Sequence, residues 1–148
     1  MIRRIATAAL ALFVTTAGLH AAGPQITVYK TRTCGCCAKW VDHLKANGFE
    51  ADVKEVASTA DARKQYGVPD TLVSCHTAVV NGYAVEGHVP AADIHKLLKQ
   101  RPKAVGLAVP GMPLGSPGME QGDRKQAYSV LLFTKDGNTS AFTRYPGN

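Results

Sequence analysis

Beyond its N-terminus the chain has no apolar run long enough for a membrane helix, no block of like charge and no internal repeat. The first absence argues against an integral membrane protein. The second argues against a nucleic-acid footprint, because the lysines and arginines are scattered singly along the chain. Without Arg3 and Arg4 the 17 basic side chains become 15 against 11 acidic ones, a net charge of +4 that suits an ordinary soluble surface. Methionine is scarce, and apart from Met1 only Met112 and Met119 occur. Cysteine is limited to four residues, of which Cys34, Cys36 and Cys37 crowd together. A chain of this length can bury a core without disulfide staples, and adjacent Cys36 and Cys37 could bridge each other only with strain. Clustered cysteines without a framework point to metal or redox chemistry.

The N-terminus has its own logic. Met1-Ile2-Arg3-Arg4 is a short basic start, residues 5–19 are uncharged and apolar, and Leu19-His20-Ala21-Ala22 offers small residues for cleavage. That order predicts a secretory signal peptide over residues 1–22, the alternative being a retained N-terminal anchor. An exported protein with no membrane attachment after cleavage is expected.

Along the remainder, Gln25–Thr31 alternates apolar and polar residues and reads as a strand. Trp40, Val41 and Leu44 recur at helical spacing over residues 37–47, with Gly48 as the stop. Residues 49–56 read as a second strand, and Ser58 caps a short helix ending at Tyr66 before Gly67. Residues 72–80 and 83–86 flank Asn81-Gly82, the strongest short-range hairpin signal. Ala91–Gln100 is an amphipathic helix with Pro90 suited to its first turn. The expected order is β-α-β-α-β-β-α. Residues 102–122 hold four prolines and five glycines, which predicts neither helix nor central strand. A loop this long is usually functional or disordered. Residues 128–134 and 139–145 then read as a closing hairpin around Asp136-Gly137.

Cys34-x-x-Cys37 falls between a strand and a helix, the layout of a thioredoxin or glutaredoxin active site. Helix N-terminal N–H groups and the helix dipole lower a thiol's pKa there. Disulfide exchange needs two thiols, one to attack and one to resolve. Cys36 adds a third, which invites mispairing in an oxidoreductase but lets a metal site bridge several soft ions. Overlaying a glutaredoxin-like pattern puts its cis-proline position on His76, with Cys75 just before it. Both would then face the cysteine loop from some way along the chain. Cysteine and imidazole beside three thiolates form a soft-metal set. His88, in Glu86-Gly87-His88-Val89-Pro90, is a further candidate ligand, with helix capping as its alternative. His43 and His95 read as surface or core residues. Met112 and Met119 sit in matching Pro-Gly-Met frames of the Pro/Gly loop, and thioether with thiolate favours Cu(I) over zinc.

Cys34-Gly35-Cys36-Cys37, Ser74-Cys75-His76-Thr77, Glu86-Gly87-His88-Val89-Pro90 and residues 106–120 together resemble the CopG copper-resistance family. This is the family of exported bacterial proteins with a CxCC motif, unrelated to the plasmid repressor of the same name. The resemblance covers nearly all of the mature chain. It implies a periplasmic, thioredoxin-like α/β domain over residues 23–101 and a C-terminal extension over 102–148, packed on the same domain, that helps bind metal. It also implies a cluster of several copper ions bridged by cysteine sulfurs and Cu(I)/Cu(II) interconversion in copper detoxification.

The expected metal set is therefore Cys34, Cys36, Cys37 and Cys75, with His76, His88, Met112 and Met119 completing it. Copper ions and periplasmic copper-efflux components are the expected partners, nucleic acid is not, and a monomer is expected. Two alternatives stand beside a copper oxidoreductase: a metal-free thiol–disulfide oxidoreductase using Cys34 and Cys37, and a passive copper chaperone or store. Zinc or an iron–sulfur cluster would leave the methionines unexplained.

Overall fold

The computed structural model describes residues 22–148. The signal-peptide expectation, apart from its last residue, lies outside them. Strands β1 (Gln25–Thr31), β2 (Glu50–Val56), β3 (His76–Val80), β4 (Tyr83–Glu86), β5 (Gly106–Ala108), β6 (Tyr128–Phe133) and β7 (Thr139–Tyr145) form one sheet. Their order is β2-β1-β3-β4-β5-β6-β7. Helices α1 (Gly35–Ala46), α2 (Ala60–Gln65) and α3 (Ala91–Gln100) complete a mixed α/β fold. β1 runs parallel to β2 across the α1 crossover and antiparallel to β3.

Period-two alternation gives the sheet two apolar faces. On one, Ile26, Val28, Val80, Val85, Leu107 and Val130 pack with Trp40, Val41 and Leu44 of α1 and Ile94 and Leu97 of α3. Fully burying a side chain of this size stabilises by roughly 1.5–3 kcal/mol, so this face dominates the fold. On the other, Ala84, Ala108 and Phe133 meet Val68 and Leu72, which follow α2. The β3–β4 hairpin turns at Asn81 (φ 45°) and Gly82 (φ 82°), as a two-residue turn of this hand requires.

Several boundaries differ from the sequence expectation. α1 starts at Gly35 rather than Cys37, so Cys36 and Cys37 belong to its first turn and Cys34 is its N-cap. The apolar spacing dates the helix from Cys37, its first buried residue, and is blind to the exposed Gly35 ahead of it. β3 starts at His76, because Asp70–Leu72 forms a 3-10 turn that buries Leu72 on the second face. Thr59 rather than Ser58 is the N-cap of α2, although Ser58 Oγ still accepts a hydrogen bond from the Ala60 amide at 3.2 Å. Pro90 stands at the N-cap of α3, one place before its first turn.

The largest correction concerns residues 102–122, where a central strand was not expected. β5 lies inside the sheet, parallel to β4 and antiparallel to β6. Gly106 is what permits it, since a Cβ there would come within 1.9 Å of the Ala84 carbonyl oxygen. The apolar Leu107-Ala108-Val109 run then fills both faces. Glycine and proline density concealed a short strand.

Candidate metal centre

The centre sits where the ends of β1 and β4, the start of β3 and the first turn of α1 converge. Apolar residues at 37, 40, 41 and 44 turn one stripe of α1 to the core, the spacing of an amphipathic helix. That stripe buries Cys37 and holds Cys34 and Cys36 at the helix N-terminus. Cys34 and Cys37 form a disulfide, while Cys36 and Cys75 are free. Cys36 Sγ lies 3.6 Å from Cys34 Sγ, and Cys37 Sγ lies 3.7 Å from the Cys75 carbonyl oxygen.

β3 delivers the second half. Its pairing with β1, Lys30 opposite His76, brings Cys75 and His76 to the thiol loop. The sulfurs of Cys34, Cys36, Cys37 and Cys75 all lie within 4.8 Å of one another. Cys75 also forms a second group of the same span with His76 and His88. Its Sγ stands 3.3 Å from His76 Nδ1 and 3.0 Å from His88 Nε2. One thiol thus joins an all-sulfur set to an imidazole set.

Both imidazoles are built in. His88 Nδ1 donates to the Pro117 carbonyl at 2.8 Å, which leaves the Nε2 lone pair facing Cys75. Fixing the tautomer through the far nitrogen is how proteins orient ligating histidines. His76 is fully buried, with its ring 4.2 Å from that of Trp40, and its Nε2 has no partner among the described residues. Burial first, and the neighbouring His88 second, lower the His76 pKa to about 3. Burial also lowers His88, against the opposing pull of the Pro117 hydrogen bond and the Glu120 charge. Burial, followed by the Cys36 thiol, pushes the Cys75 thiol up to about 12. Imidazoles beside soft sulfur suit Cu(I), and a cation bound at Cys75 would displace its proton. The donor set fits copper.

The Pro/Gly loop reaches the centre through its backbone. A Cβ on Gly118 would come within 2.7 Å of Cys36 O and 2.9 Å of Trp40 N, so Pro117-Gly118 lies against the first turn of α1. Ser74 Oγ donates to Gly111 O, and the Gly111 amide donates to Val73 O at 3.1 Å. Met112 follows that tie and is 50% exposed, whereas Met119 follows Gly118 and is partly buried.

Sequence reasoning passed over Glu86. Its carboxylate is fully buried and accepts hydrogen bonds from the Ser74 amide at 2.8 Å and Thr77 Oγ1 at 2.6 Å. It therefore clamps both ends of the Cys75-His76 segment. The one signal available was a carboxylate closing an otherwise apolar strand. His43, expected as a surface or core residue, caps α3 by accepting the Ala91 amide at 3.0 Å.

Fold and centre together define a mixed α/β protein with a thiol–imidazole cluster at the end of its sheet whose donor atoms lie close enough together to hold a metal ion. A family model described as a protein of unknown function, DUF411, matches residues 72–119. No curated protein gives a significant match. Two solved structures, both of copper resistance protein copG and designated form 1 and form 2, align with TM-scores of 0.80. They share 50% and 49% identity with this chain, covering 84% of it and 99% of each solved chain. The chain belongs to the CopG copper-resistance family.

Proposed function

We propose that the chain is a periplasmic copper-resistance protein holding a thiolate-bridged cluster of several copper ions and interconverting Cu(I) and Cu(II). Once the Cys34–Cys37 disulfide is reduced, Cys34, Cys36, Cys37 and Cys75 bridge the ions, His76 and His88 add nitrogen donors, and Met112 and Met119 close the site. The observation that carries this reading is the shared position of Cys75. Its sulfur lies within 4.8 Å of three other sulfurs and of two imidazole nitrogens, so sulfur and nitrogen donors meet at one atom. Soft thiolates favour Cu(I) and imidazoles also serve Cu(II), which suits a centre that changes oxidation state. Among the described residues no helix is long and apolar enough to cross a membrane. The protein would act as a monomer, exchanging copper with periplasmic efflux components.

Metal analysis of reduced protein loaded with Cu(I) under anaerobic conditions tests this. More than one copper per chain is expected, falling in Cys36→Ser and Cys75→Ser. Zero or one copper, with disulfide reductase activity retained, would reject the cluster.

The Cys34–Cys37 disulfide favours a second reading, a metal-free thiol–disulfide oxidoreductase in which Cys34 attacks and Cys37 resolves. It requires turnover on a disulfide substrate with all metal chelated.

A further inference from the structure

The disulfide divides the thiols by role. Cys34 and Cys37 are joined, yet Cys75 keeps its contacts of 3.3 Å to His76 and 3.0 Å to His88, and Cys36 stays within 4.8 Å of Cys75. The oxidised chain therefore still presents two thiols and two imidazoles in one place. Losing the Cys34–Cys37 pair removes two electrons from the chain without dismantling the remaining donors.

We propose that Cys34 and Cys37 are the chain's own electron source for reducing Cu(II), a step that rests on the copper reading above and adds its direction. The two thiols lose their protons to solvent and give one electron to each of two Cu(II) ions. A sulfur–sulfur bond forms, and both ions leave the step as Cu(I). Atoms and charge balance: two Cu(II) and two thiols become two Cu(I), one disulfide and two protons. Cys36, Cys75, His76 and His88 retain the product, and soft donors that prefer Cu(I) draw the step forward.

The pair is arranged for re-reduction from outside. Cys34 is partly exposed at the helix N-cap, whereas Cys37 is fully buried. An external dithiol attacks Cys34 Sγ and releases Cys37 as a thiolate. Its second thiol then attacks the mixed disulfide, freeing Cys34 and leaving as a disulfide itself. Each cycle reduces two Cu(II) and oxidises one dithiol.

The test uses the full mature chain, reduced, metal-free and anaerobic, mixed with two equivalents of a Cu(II) salt. The Cu(II) paramagnetic resonance signal reports reduction, and alkylation after acid quenching, with peptide mapping, counts and locates surviving thiols. The expected result is loss of the signal from both ions, a fall from four thiols to two, and a disulfide mapping to Cys34–Cys37. Cys34→Ser and Cys37→Ser, checked for native circular dichroism, should each slow the reduction at least tenfold. A persistent Cu(II) signal, a disulfide in another pair or between chains, or a Cys34→Ser variant reducing at the parent rate would overturn the proposal. Titration with Cu(I) separates the two failures. Cu(I) binding without Cu(II) reduction sinks this step alone, and absence of Cu(I) binding sinks the copper reading with it.

Discussion

The Glu86 carboxyl group accepts the Ser74 amide at 2.8 Å from inside the sheet, so a buried acidic side chain on β4 helps set where the Cys75 thiol stands. The same carboxylate takes the Thr77 hydroxyl on the far side of Cys75 and His76. Removing it orphans the buried Thr77 hydroxyl and the partly buried Ser74 amide, and an unpaired buried donor costs about 1–3 kcal/mol. Glu86→Ala is expected to lose about 2–4 kcal/mol in urea unfolding of the metal-free protein and to bind fewer copper ions. Glu86→Gln, which keeps the shape and one acceptor oxygen, should recover part of both. Unchanged copper stoichiometry in folded Glu86→Ala would show that Cys75 needs no such clamp.

Gly118 tests the loop. Its φ of +87° and its closeness to Cys36 O and Trp40 N leave no room for a methyl group. A left-handed backbone alone costs a non-glycine residue about 1–2 kcal/mol. Gly118→Ala should lose at least that much stability and weaken Cu(I) binding about tenfold, because the Pro117 carbonyl moves off His88. Competition against a chromophoric Cu(I) chelator measures the second effect.

His76 gives the pH dependence. Its pKa falls from the ordinary 6.5 to about 3 on folding, through burial first. The unfolded chain therefore binds the extra proton between those values, and stability falls as pH drops from about 6.5 toward 3. Urea midpoints of metal-free protein at stepped pH should follow that slope, and His76→Gln should flatten it. An equal slope in the variant would assign the effect to other groups.

Met112 separates binding from folding. Its side chain is half exposed, and surface substitutions usually change stability by less than about 0.5 kcal/mol. Met112→Leu should leave the thermal midpoint of the metal-free protein unchanged while shortening retention of Cu(I) against a chelator. Retention equal to the parent's would remove Met112 from the site.

Trp40 is the single tryptophan and lies against His76 with ring centroids 4.2 Å apart. Its emission should fall stepwise as copper is added and level off at the analytical metal content. A spectrum indifferent to bound copper would place the ions away from His76.

Most of the frame was legible because its signals are local. β1, α3 and the Asn81-Gly82 hairpin follow from residue periodicity and from backbone torsions that few residues accept. Cys75, His76 and the CxCC motif were joined by a fold-level overlay, and β3 does bring them together beside β1. What stayed hidden depends on contacts between distant residues. Gly106 looks like a loop residue until Ala84 lies against it, and Glu86 looks like a surface charge until Ser74 and Thr77 turn toward it. His43 reads as a plain helix residue because the amide it caps belongs to Ala91.

The bond from His88 to the Pro117 carbonyl joins residues far apart in the chain. The thiols come from the start of α1 and the start of β3, the facing imidazole from the end of β4, and the carbonyl that fixes it from beyond β5. A chain cut short before residue 117 would keep all four cysteines and both site histidines yet leave the His88 ring without its anchor. The donors and the geometry that aims them are thus encoded in different parts of the sequence.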